Sequence, residues 1–516
     1  SLPLQIMRLL CGPHAALIPP SRPLWGLLSK SGTPPAQVAC RAGPGTQSLP
    51  GPSDVLECNT LRPHLRSRHS PFNESSHFSG RFVSDEDRVM LNAIYFSSSS
   101  PSADRVRCSA PVAGLGEKAG LVVPPTSSGG EAEAEDVCIP LPTWGMRAGP
   151  RESIYFEPSL TRAASEGAVV TVGGLCPGLN DVIQGLVRKL RDYGVPEGST
   201  FGIRYGFQGF YSKKHRPVVL TGRSVEDIHL EGGSILGTSS IAPDYRKIVR
   251  MIDLMGLDML FVIGGAGGHM GATQLEALLT QHGVRCVVVG VPKSIDNSIL
   301  LVDRCFGFET AVNEAQRALF AAKVEALSTW HGIAVVKLMG HASGFIALEA
   351  SMASGIVDAC LIPEIRFLLD GEAGLSTYLD RLLQRQGSAV VCVAEGAGQH
   401  FFDTPHRDRA ADRDVGPWLA AALKERHPGA YVKYIDPSYL VRSVPTVSSD
   451  RTYCKVLAHN AVHAAFAGFT GTTVGLVNTH YVLLPIPFVT QAPRRVDPQG
   501  NQWNRLRAAN GQPNFT

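Results

Sequence analysis

Residues suited to phosphate chemistry follow four short apolar runs of the chain. Each run ends in a turn that carries glycine, lysine or aspartate: Gly173-Gly174, Gly264-Gly265-Ala266-Gly267-Gly268, Lys293-Ser294-Ile295-Asp296 and Lys337-Leu338-Met339-Gly340-His341. Glycine lets the backbone approach a ligand closely, and a helix that begins behind such a turn offers unpaired N–H groups to an anion. Two Gly-rich turns and one Asp-bearing turn on successive strands therefore indicate a phosphate-handling site around Asp296.

Each of these features has a plainer interpretation when it is taken alone. A single Gly pair after a strand is equally well a tight turn, and Asp296 by itself is an Asx turn or a helix cap. Neither Gly-rich turn fits the GxxxxGK(S/T) loop or the GxGxxG dinucleotide motif. The combination of the turns, and not any one of them, carries the prediction.

The hydrophobic pattern predicts the elements that hold these turns. Short β-branched runs occur at Ala168–Val172, Met259–Ile263, Arg285–Val289, Ile333–Val336, Cys360–Pro363 and Ala389–Val393. Segments of helical spacing lie between them, at Asp181–Tyr193, Gln274–His282, Ala311–Leu327 and Phe345–Ser354. Strands that are apolar on both faces and separated by helices predict an α/β fold with mostly parallel sheets flanked by helices. Ligands of such sheets bind beyond the carboxyl ends of the strands, where the four turns lie.

Composition limits the classes of partner. The chain has 516 residues, enough for two or three domains, and a formal net charge of +3. So small a charge gives no reason to expect nucleic acid or an anionic membrane as the main partner. No apolar run approaches the roughly 18 residues of a membrane-spanning helix. The 11 cysteines are scattered and form no CxxC pair, which favours free thiols in a reducing compartment.

The first 144 residues differ in composition from the rest. Residues 1–78 are predicted to be a low-complexity extension, in which no acidic residue precedes Asp54. That pattern suits a transit peptide for a plastid or mitochondrion. A disordered extension on a cytoplasmic protein, or mistranslated upstream sequence, explains it equally well. Residues 79–98 contain an ordered-looking arm, Phe82–Phe96, and residues 99–144 are predicted to be a disordered insertion.

The core of the sequence resembles the 6-phosphofructokinases, particularly the long ATP-dependent type of plants and protists, which is related to the diphosphate-dependent enzymes. The resemblance lies in the strings GGLCPGLND, PKSIDN, FGFETAVNEAQRA, KLMG, SGFIALEASMAS, VAEGAGQ, KYIDPSYLVR and GQPNF. It implies two similar α/β domains with the active site between them. Residues 145–330 would bind the nucleotide, and residues 331–516 the sugar phosphate, with a C-terminal segment returning to the first domain. The implied activity is the glycolytic phosphorylation of fructose 6-phosphate by ATP with Mg²⁺.

The resemblance also implies a role for individual residues. Asp296 resembles the base that accepts the proton of the attacking hydroxyl group, which fits the need of a poor alcohol nucleophile for a carboxylate. Tyr439 and Arg442 match the pair that binds the 6-phosphate, for which a guanidinium group is well suited. The other sugar-side positions are Ser294, Ile295, Met339, Gly340, His341 and Glu395. The nucleotide positions are Gly174, Ser240, Gly264, Gly265, Gly267 and Gly268.

Gly267 bears on the choice of donor. The diphosphate-dependent relatives carry an acidic residue there, which crowds the space of the α-phosphate, so Gly267 favours ATP. Lys293 does not discriminate, because both types carry it.

Several family positions that should carry charge do not do so here. Ala266 stands where the family has the Asp that helps to hold magnesium, and Ser240 replaces an Arg that contacts donor phosphates. The remaining replacements are Gly268, Ser298, His341 and Gln208. Phosphoryl transfer depends mainly on positioning and on neutralising charge, so these losses put turnover in question.

Three functional hypotheses follow from these replacements. The first is a working ATP-dependent 6-phosphofructokinase with an altered metal site, using Asp303 or Glu309. The second is a weak or inert sugar-phosphate-binding subunit that regulates an active phosphofructokinase in a hetero-oligomer. The third is a diphosphate-dependent phosphotransferase or a kinase of another sugar phosphate. The first two predict a homo-oligomer and a hetero-oligomer, respectively.

Overall fold

The computed structural model describes residues 166–402 and 414–515, together with the backbone of four short upstream strands. Apart from those strands, the predicted N-terminal extension, arm and insertion lie outside the described residues. The strands are, in chain order, β1 (Arg88–Met90), β2 (Tyr95–Phe96), β3 (Val137–Cys138), β4 (Trp144–Arg147), β5 (Gly167–Val172), β6 (Thr200–Ile203), β7 (Val218–Val219), β8 (Met259–Gly264), β9 (Val287–Pro292), β10 (Gly332–Leu338), β11 (Ala359–Leu361), β12 (Ser388–Ala394), β13 (Tyr431–Ile435), β14 (Thr472–Val477) and β15 (His480–Pro485).

The helices alternate with these strands along most of the described chain. They are α1 (Leu179–Asp192), α2 (Tyr245–Met255), α3 (Ala266–His282), α4 (Phe308–Leu327), α5 (Phe345–Ser354), α6 (Leu375–Gln386), α7 (Val415–Arg426), α8 (Ser438–Arg442), α9 (Ser448–Phe466), α10 (Ile486–Val489) and α11 (Asn501–Asn510). No helix in the described ranges is long and apolar enough to cross a bilayer.

Two main sheets organise the described residues. The larger has the strand order β1-β4-β15-β14-β9-β8-β5-β6-β7, with a parallel centre from β14 to β6 and antiparallel pairs at both ends. The smaller has the order β11-β12-β10-β13 and is parallel throughout. Strands β14 and β15 come late in the chain yet complete the larger sheet, and the last residues contact the smaller one, where the Gln512 side chain bonds to the backbone of Cys360.

One continuous apolar core contains residues of both sheets, among them Phe261 and Val289 from the larger and Val336 and Cys392 from the smaller. The central strands are fully buried, as expected for parallel sheets covered on both faces. The predicted α/β class is therefore confirmed. Five described cysteines are buried as free thiols and a sixth, Cys286, is partly buried.

Most element boundaries differ from the predicted ones by one to three residues, and helix α3 differs most. Helix α3 begins at Ala266 rather than Gln274, because the segment AGGHMGA is helical despite its glycines. Glycine at position 271 has a steric explanation, since a Cβ there would lie 2.7 Å from Cε2 of Phe207. Strand β9 begins at Val287 rather than Arg285, because the pairing of Val287 with Met259 sets its first residue.

Candidate active site

The turns after β5, β8 and β9, which the sequence predicts to handle phosphate, lie side by side at one edge of the larger sheet. In the parallel register, Val172 at the end of β5 pairs with Gly264 at the end of β8, and Gly264 pairs with Pro292 at the end of β9. Because carboxyl ends of neighbouring parallel strands share one edge, the turns predicted from the sequence form one continuous surface.

The turn after β5 is closed on one side and open on the other. Gly178 has φ +98°, and a Cβ there would lie 2.6 Å from Sγ of Cys454, so the turn requires glycine at this position. Gly174 is exposed, and a Cβ there would meet nothing within 4 Å. The N–H of Gly173 donates to the carbonyl oxygen of Ser239 at 3.1 Å, which joins this turn to the loop that carries Ser240.

The turn after β8 presents the N-terminus of α3 to solvent. Ala266 and Gly267 are exposed, and the first turn of the helix contains no acidic residue. Backbone N–H groups at such a terminus attract anions. A Cβ on Gly267 would meet nothing within 4 Å, so the surface beside it is free.

The buried side chain of His269 links the turn after β8 to strand β14. Its Nδ1 lies 3.0 Å from the carbonyl oxygen of Gly265, and its Nε2 lies 2.8 Å from Oγ1 of Thr473. Burial lowers the pKa of His269 to about 4, so the ring is neutral near pH 7. No local sequence pattern predicts this role, because the partner Thr473 is distant along the chain.

Asp296 lies in the turn after β9, where the two halves of the site meet. Its carbonyl oxygen accepts a hydrogen bond from Oγ of Ser343 at 3.0 Å, and its carboxylate accepts one from the backbone N–H of His341. The other carboxylate oxygen, Oδ1, is buried without a hydrogen-bond partner in the structure. An unpaired buried oxygen is costly in a folded protein, which is a reason to expect a ligand proton there.

The electrostatic surroundings of Asp296 suit a base. Burial, together with the negative charge of Glu395, raises the pKa of its carboxyl group to about 6, although the ammonium group of Lys293 and the hydrogen bond from His341 act to lower it. A carboxylate with a pKa slightly below neutral is mostly ionised at pH 7 and is a stronger base than an ordinary aspartate. The sequence does not predict the raised pKa, since it depends on burial in the folded protein and on the distant Glu395.

The sugar-side turns meet at the ends of β10 and β12, where Leu338 pairs with Ala394. The N–H of Glu395 donates to Leu338 at 2.9 Å, and the N–H of Gly396 donates to Gly340 at 3.1 Å. Met339 is partly buried against the core and His341 is exposed. Burial raises the pKa of Glu395, and positive charge at His341 and Lys337 opposes that rise. The structure thus brings Asp296, His341 and Glu395 together.

The turn of Asp296 is braced by its own side chains. Ile295 is buried, and Oγ of Ser294 lies 2.8 Å from Oγ of Ser298. The side chain of Asn297 holds the following loop in place. Its Nδ2 donates to the carbonyl oxygen of Asp303 at 3.2 Å, and its Oδ1 accepts from the N–H of Cys305 at 2.8 Å. Ser298, the residue that replaces a family Asp, therefore has a structural partner here.

Tyr439 and Arg442 project from α8. The guanidinium carbon of Arg442 lies 4.8 Å from the centre of the Tyr439 ring, and Nε of Arg442 is buried without a hydrogen-bond partner in the structure. Tyr439 is 73% exposed. An arginine placed in this way is available to an anion.

The end of α8 also contacts the loop that carries Ser240. A Cβ on Gly232 would collide with the carbonyl oxygen of Ser443, so the two backbones touch at that point. Asn180 holds the same loop, since its amide donates to Glu231 at 3.1 Å and accepts from the N–H of Ile235 at 2.9 Å. Ser240 itself is exposed.

Lys293 supplies positive charge that the sequence left without an assigned role. It is only 7% exposed, and its Nζ lies 3.4 Å from the position that a Cβ on Gly173 would occupy. Its ammonium group therefore lies between the turn after β5 and Asp296. This position suits a group that neutralises a phosphate bound at those turns.

The two carboxylates considered as replacement metal ligands have other contacts. Glu309 pairs with Arg304 and accepts a hydrogen bond from Oγ of Ser449. Oδ2 of Asp303 accepts from the N–H of Thr479 at 3.3 Å. Within residues 166–402 and 414–515, no cluster of three or more His, Cys, Asp or Glu side chains is arranged to hold a metal ion. In the described part of the chain, the turn after β8 therefore lacks the carboxylates that would hold a magnesium ion directly.

Comparison with known proteins shows which family the sequence resembles. The family model described as phosphofructokinase matches residues 166–465. The chain is 44% identical over 442 residues to ATP-dependent 6-phosphofructokinase 5, chloroplastic, of Arabidopsis thaliana, an alignment that covers 84% of this chain and 76% of that protein. It is 40% identical to the ATP-dependent 6-phosphofructokinase of Amycolatopsis methanolica, covering 71% of this chain and 82% of that one.

Solved structures are similar in fold. The pyrophosphate-dependent phosphofructokinase of Marinobacter aquaeolei superposes with a TM-score of 0.57 at 18% identity, covering 67% of this chain and 91% of that one. Phosphofructokinase from Saccharomyces cerevisiae gives a TM-score of 0.53 at 23% identity, covering 64% and 45% respectively.

Proposed function

The chain belongs to the phosphofructokinase family, and from that premise we propose that it transfers the γ-phosphoryl group of ATP to the 1-hydroxyl group of fructose 6-phosphate. The observation that carries the proposal is the buried, unpartnered Oδ1 of Asp296, between the phosphate turns of the larger sheet and the sugar-side turn of the smaller. That oxygen is suited to accept the proton of an attacking hydroxyl group.

In this mechanism the chain's residues orient the reactants and move one proton. Asp296 takes the proton of the sugar's 1-hydroxyl group while the oxygen of that hydroxyl group bonds to the γ-phosphorus. The bond from the γ-phosphorus to the β–γ bridging oxygen breaks at the same time and releases ADP. Lys293 and the N-terminus of α3 offset negative charge on the transferring group. Arg442 and Tyr439 hold the 6-phosphate, and Glu395 accepts hydrogen bonds from sugar hydroxyl groups.

Magnesium would reach this site with the nucleotide rather than through a carboxylate of the second Gly turn, because Ala266 offers no ligand oxygen. Mg²⁺ commonly binds through substrate phosphates with few protein ligands. When bound, it would neutralise charge on the phosphates.

The deciding experiment is a coupled assay with fructose 6-phosphate, magnesium and either ATP or diphosphate. We expect turnover with ATP and none with diphosphate, because Gly267 leaves the space beside it free. Activity with diphosphate alone would favour the third hypothesis instead. A panel of other sugar phosphates tests whether the acceptor is fructose 6-phosphate.

A regulatory subunit is the second candidate, and the exposed Ala266 and Ser240 favour it, because both donor-side charges of the family are absent. This candidate predicts binding of fructose 6-phosphate without turnover, measured by calorimetry, and weaker binding by Arg442→Ala. If turnover is absent, the combined changes Ala266→Asp, Ser240→Arg and Ser298→Asp should restore part of it. No gain in activity would contradict the roles assigned to these three positions.

Oligomerisation is the third element of the proposal. An apolar stripe lies along the outer face of α4, with Phe320 at 49%, Val324 at 67% and Leu327 at 61% exposure, and it includes Trp330, three residues beyond the helix, at 82%. A contiguous apolar surface of this kind is typical of a protein–protein interface. We infer that a second subunit, of this chain or of an active phosphofructokinase, covers the stripe.

The compartment is proposed from the N-terminal segment. The acid-poor, basic composition of residues 1–53 and the chloroplastic name of one relative together favour a plastid over the cytoplasm. A fluorescent protein fused behind residues 1–78 tests this, and a diffuse cytoplasmic signal would refute it.

A further inference from the structure

Lys337 is a buried cation that the proposed reaction does not use. It is the penultimate residue of β10, and its side chain is 11% exposed. Its Nζ lies 2.8 Å from Oδ2 of Asp414 and 2.8 Å from Oδ2 of Asp436. Burial lowers the pKa of Lys337, but the hydrogen bonds that it donates to both aspartates outweigh burial and raise its pKa above the ordinary value. The ammonium group is therefore charged and fixed between two carboxylates.

Each of these carboxylates bonds to the start of a helix: Asp414 is the N-cap of α7, and Asp436 lies two residues before the first residue of α8. Oδ1 of Asp436 accepts hydrogen bonds from the N–H of Ser438 at 3.0 Å and from its Oγ at 2.5 Å, at the start of α8. Oδ1 of Asp414 accepts from the N–H of Gly416 at 3.1 Å, at the start of α7. Capping interactions fix where a helix begins and in which direction it points. Lys337 thus joins the end of β10 to the starting points of both helices.

Helix α8, which begins at Ser438 two residues after Asp436, carries Tyr439 and Arg442. It has only five residues, so its own hydrogen bonds contribute little to its stability and its orientation depends on tertiary contacts. Lys337 also pairs with Val393 in the register of β10 and β12, two residues before Glu395. Its positive charge opposes the rise that burial causes in the pKa of Glu395. One ammonium group is therefore linked to both sets of sugar-side residues.

We propose that Lys337 is a positioning residue for sugar-phosphate binding, which holds Asp436 and thereby orients α8 so that Tyr439 and Arg442 receive the phosphate. Lys337 acts through these residues and does not touch the substrate. The inference rests on the proposed function, since it takes Tyr439 and Arg442 as phosphate ligands.

The test is Lys337→Met, with the affinity for fructose 6-phosphate measured by calorimetry. We expect Kd to rise about tenfold or more, because the phosphate ligands lose their fixed orientation, while Kd for ATP changes less than about twofold. In an active preparation, KM for fructose 6-phosphate should rise with kcat nearly unchanged, as expected for lost ground-state binding. Lys433→Met is the matched control, since it breaks the Lys433–Glu325 pair of 2.8 Å on the neighbouring strand β13.

Two further variants separate positioning from a general role in folding. Asp436→Asn should weaken sugar-phosphate binding, whereas Asp414→Asn should not, although both break a contact to the same ammonium group. If Lys337→Met does not fold, the double variant Lys337→Met/Asp414→Asn reduces the repulsion left between the carboxylates and still lacks the contact to Asp436. Rescue of binding by Lys337→Arg would support the proposal.

The outcomes separate this inference from the function on which it rests. Wild-type protein that binds no fructose 6-phosphate overturns the proposed function and this inference together. Wild-type protein that binds it, with Lys337→Met or the double variant binding equally well, overturns this inference alone. Equal weakening by Asp414→Asn and Asp436→Asn also overturns it, because the effect would then not pass through α8.

Discussion

At the scale of single residues, burial and neighbouring charges set the pKa of Asp296, the proposed base. Asp296 is buried near Glu395, which raises its pKa, and near Lys293, which lowers it. Lys293 is the buried cation closest in sequence to Asp296, and it adjoins the turn after β5. The base strength of Asp296 is therefore a property of the cluster rather than of the residue alone.

Replacing Asp296 by Asn should remove most activity and stabilise the fold. We expect kcat to fall by about 10²–10⁴-fold, the usual contribution of a general base. The folded-state pKa of about 6 exceeds the ordinary value of 3.8, so the stability linked to Asp296 is full below pH 3.8 and is lost as pH rises through 6. Asparagine does not ionise, so the variant avoids this loss of unfolding free energy, which is about 3 kcal/mol at pH 7. Melting temperatures of both proteins should diverge as pH rises from about 4 to 6.5 and run parallel above that; parallel curves over the whole range would contradict the raised pKa.

Glu395→Gln should shift the pH dependence of the reaction. Removal of the Glu395 charge lowers the pKa of Asp296, so the acid limb of the kcat profile should move to lower pH. KM for fructose 6-phosphate should rise roughly tenfold if a sugar hydrogen bond to the carboxylate is lost. The exposed Glu372→Gln is the control, and an unshifted limb in Glu395→Gln would show that the two carboxylates are not coupled.

At the scale of elements, helix α3 shows how a binding turn is built from glycine. Its first two turns contain Gly267, Gly268 and Gly271, which have different surroundings. Gly268 packs against Val172 and Gly271 packs against Phe207, whereas the surface at Gly267 is open. Close approach of α3 to the sheet and access for a ligand are thus provided by different glycines.

Alanine substitutions in α3 should distinguish these glycines. Gly271→Ala forces a shift of the Phe207 ring, because its Cβ would lie 2.7 Å from Cε2, and should cost about 1–3 kcal/mol of unfolding free energy. Gly267→Ala should leave stability unchanged or raise it by up to about 1 kcal/mol, through the better helix propensity of alanine. Urea unfolding of both variants measures the difference. Equal effects would mean that α3 does not pack as described.

At the scale of the whole molecule, the parallel sheets and their turns could be predicted from the sequence, but the contacts between distant segments could not. Asp296 and the strand that precedes it follow from a local apolar run and a motif. The contacts of His269 with Thr473 and of Lys337 with Asp414 join residues far apart in sequence. No local pattern identifies such partners, because hydrophobic periodicity shows which face is buried and not what covers it.

The exposed stripe on α4 leads to a prediction about assembly. Leu327→Asp places a charge in the middle of the stripe, so it should shift the protein towards a smaller species in light scattering coupled to size exclusion. Leu254→Asp is the control, because Leu254 is an exposed residue of α2 that lies outside the stripe. The same elution for wild type and both variants would remove α4 as the interface.

The contact between Gly232 and Ser443 has a consequence for how the two substrates influence each other. The loop that carries Ser240, on the proposed donor side, and the end of α8, on the proposed sugar side, meet there backbone to backbone, so we expect their movements to be coupled. A ligand that orders one side lowers the entropic cost of ordering the other. We therefore expect heterotropic cooperativity, in which the sugar phosphate tightens nucleotide binding. By thermodynamic linkage, the nucleotide must then tighten sugar-phosphate binding by the same factor.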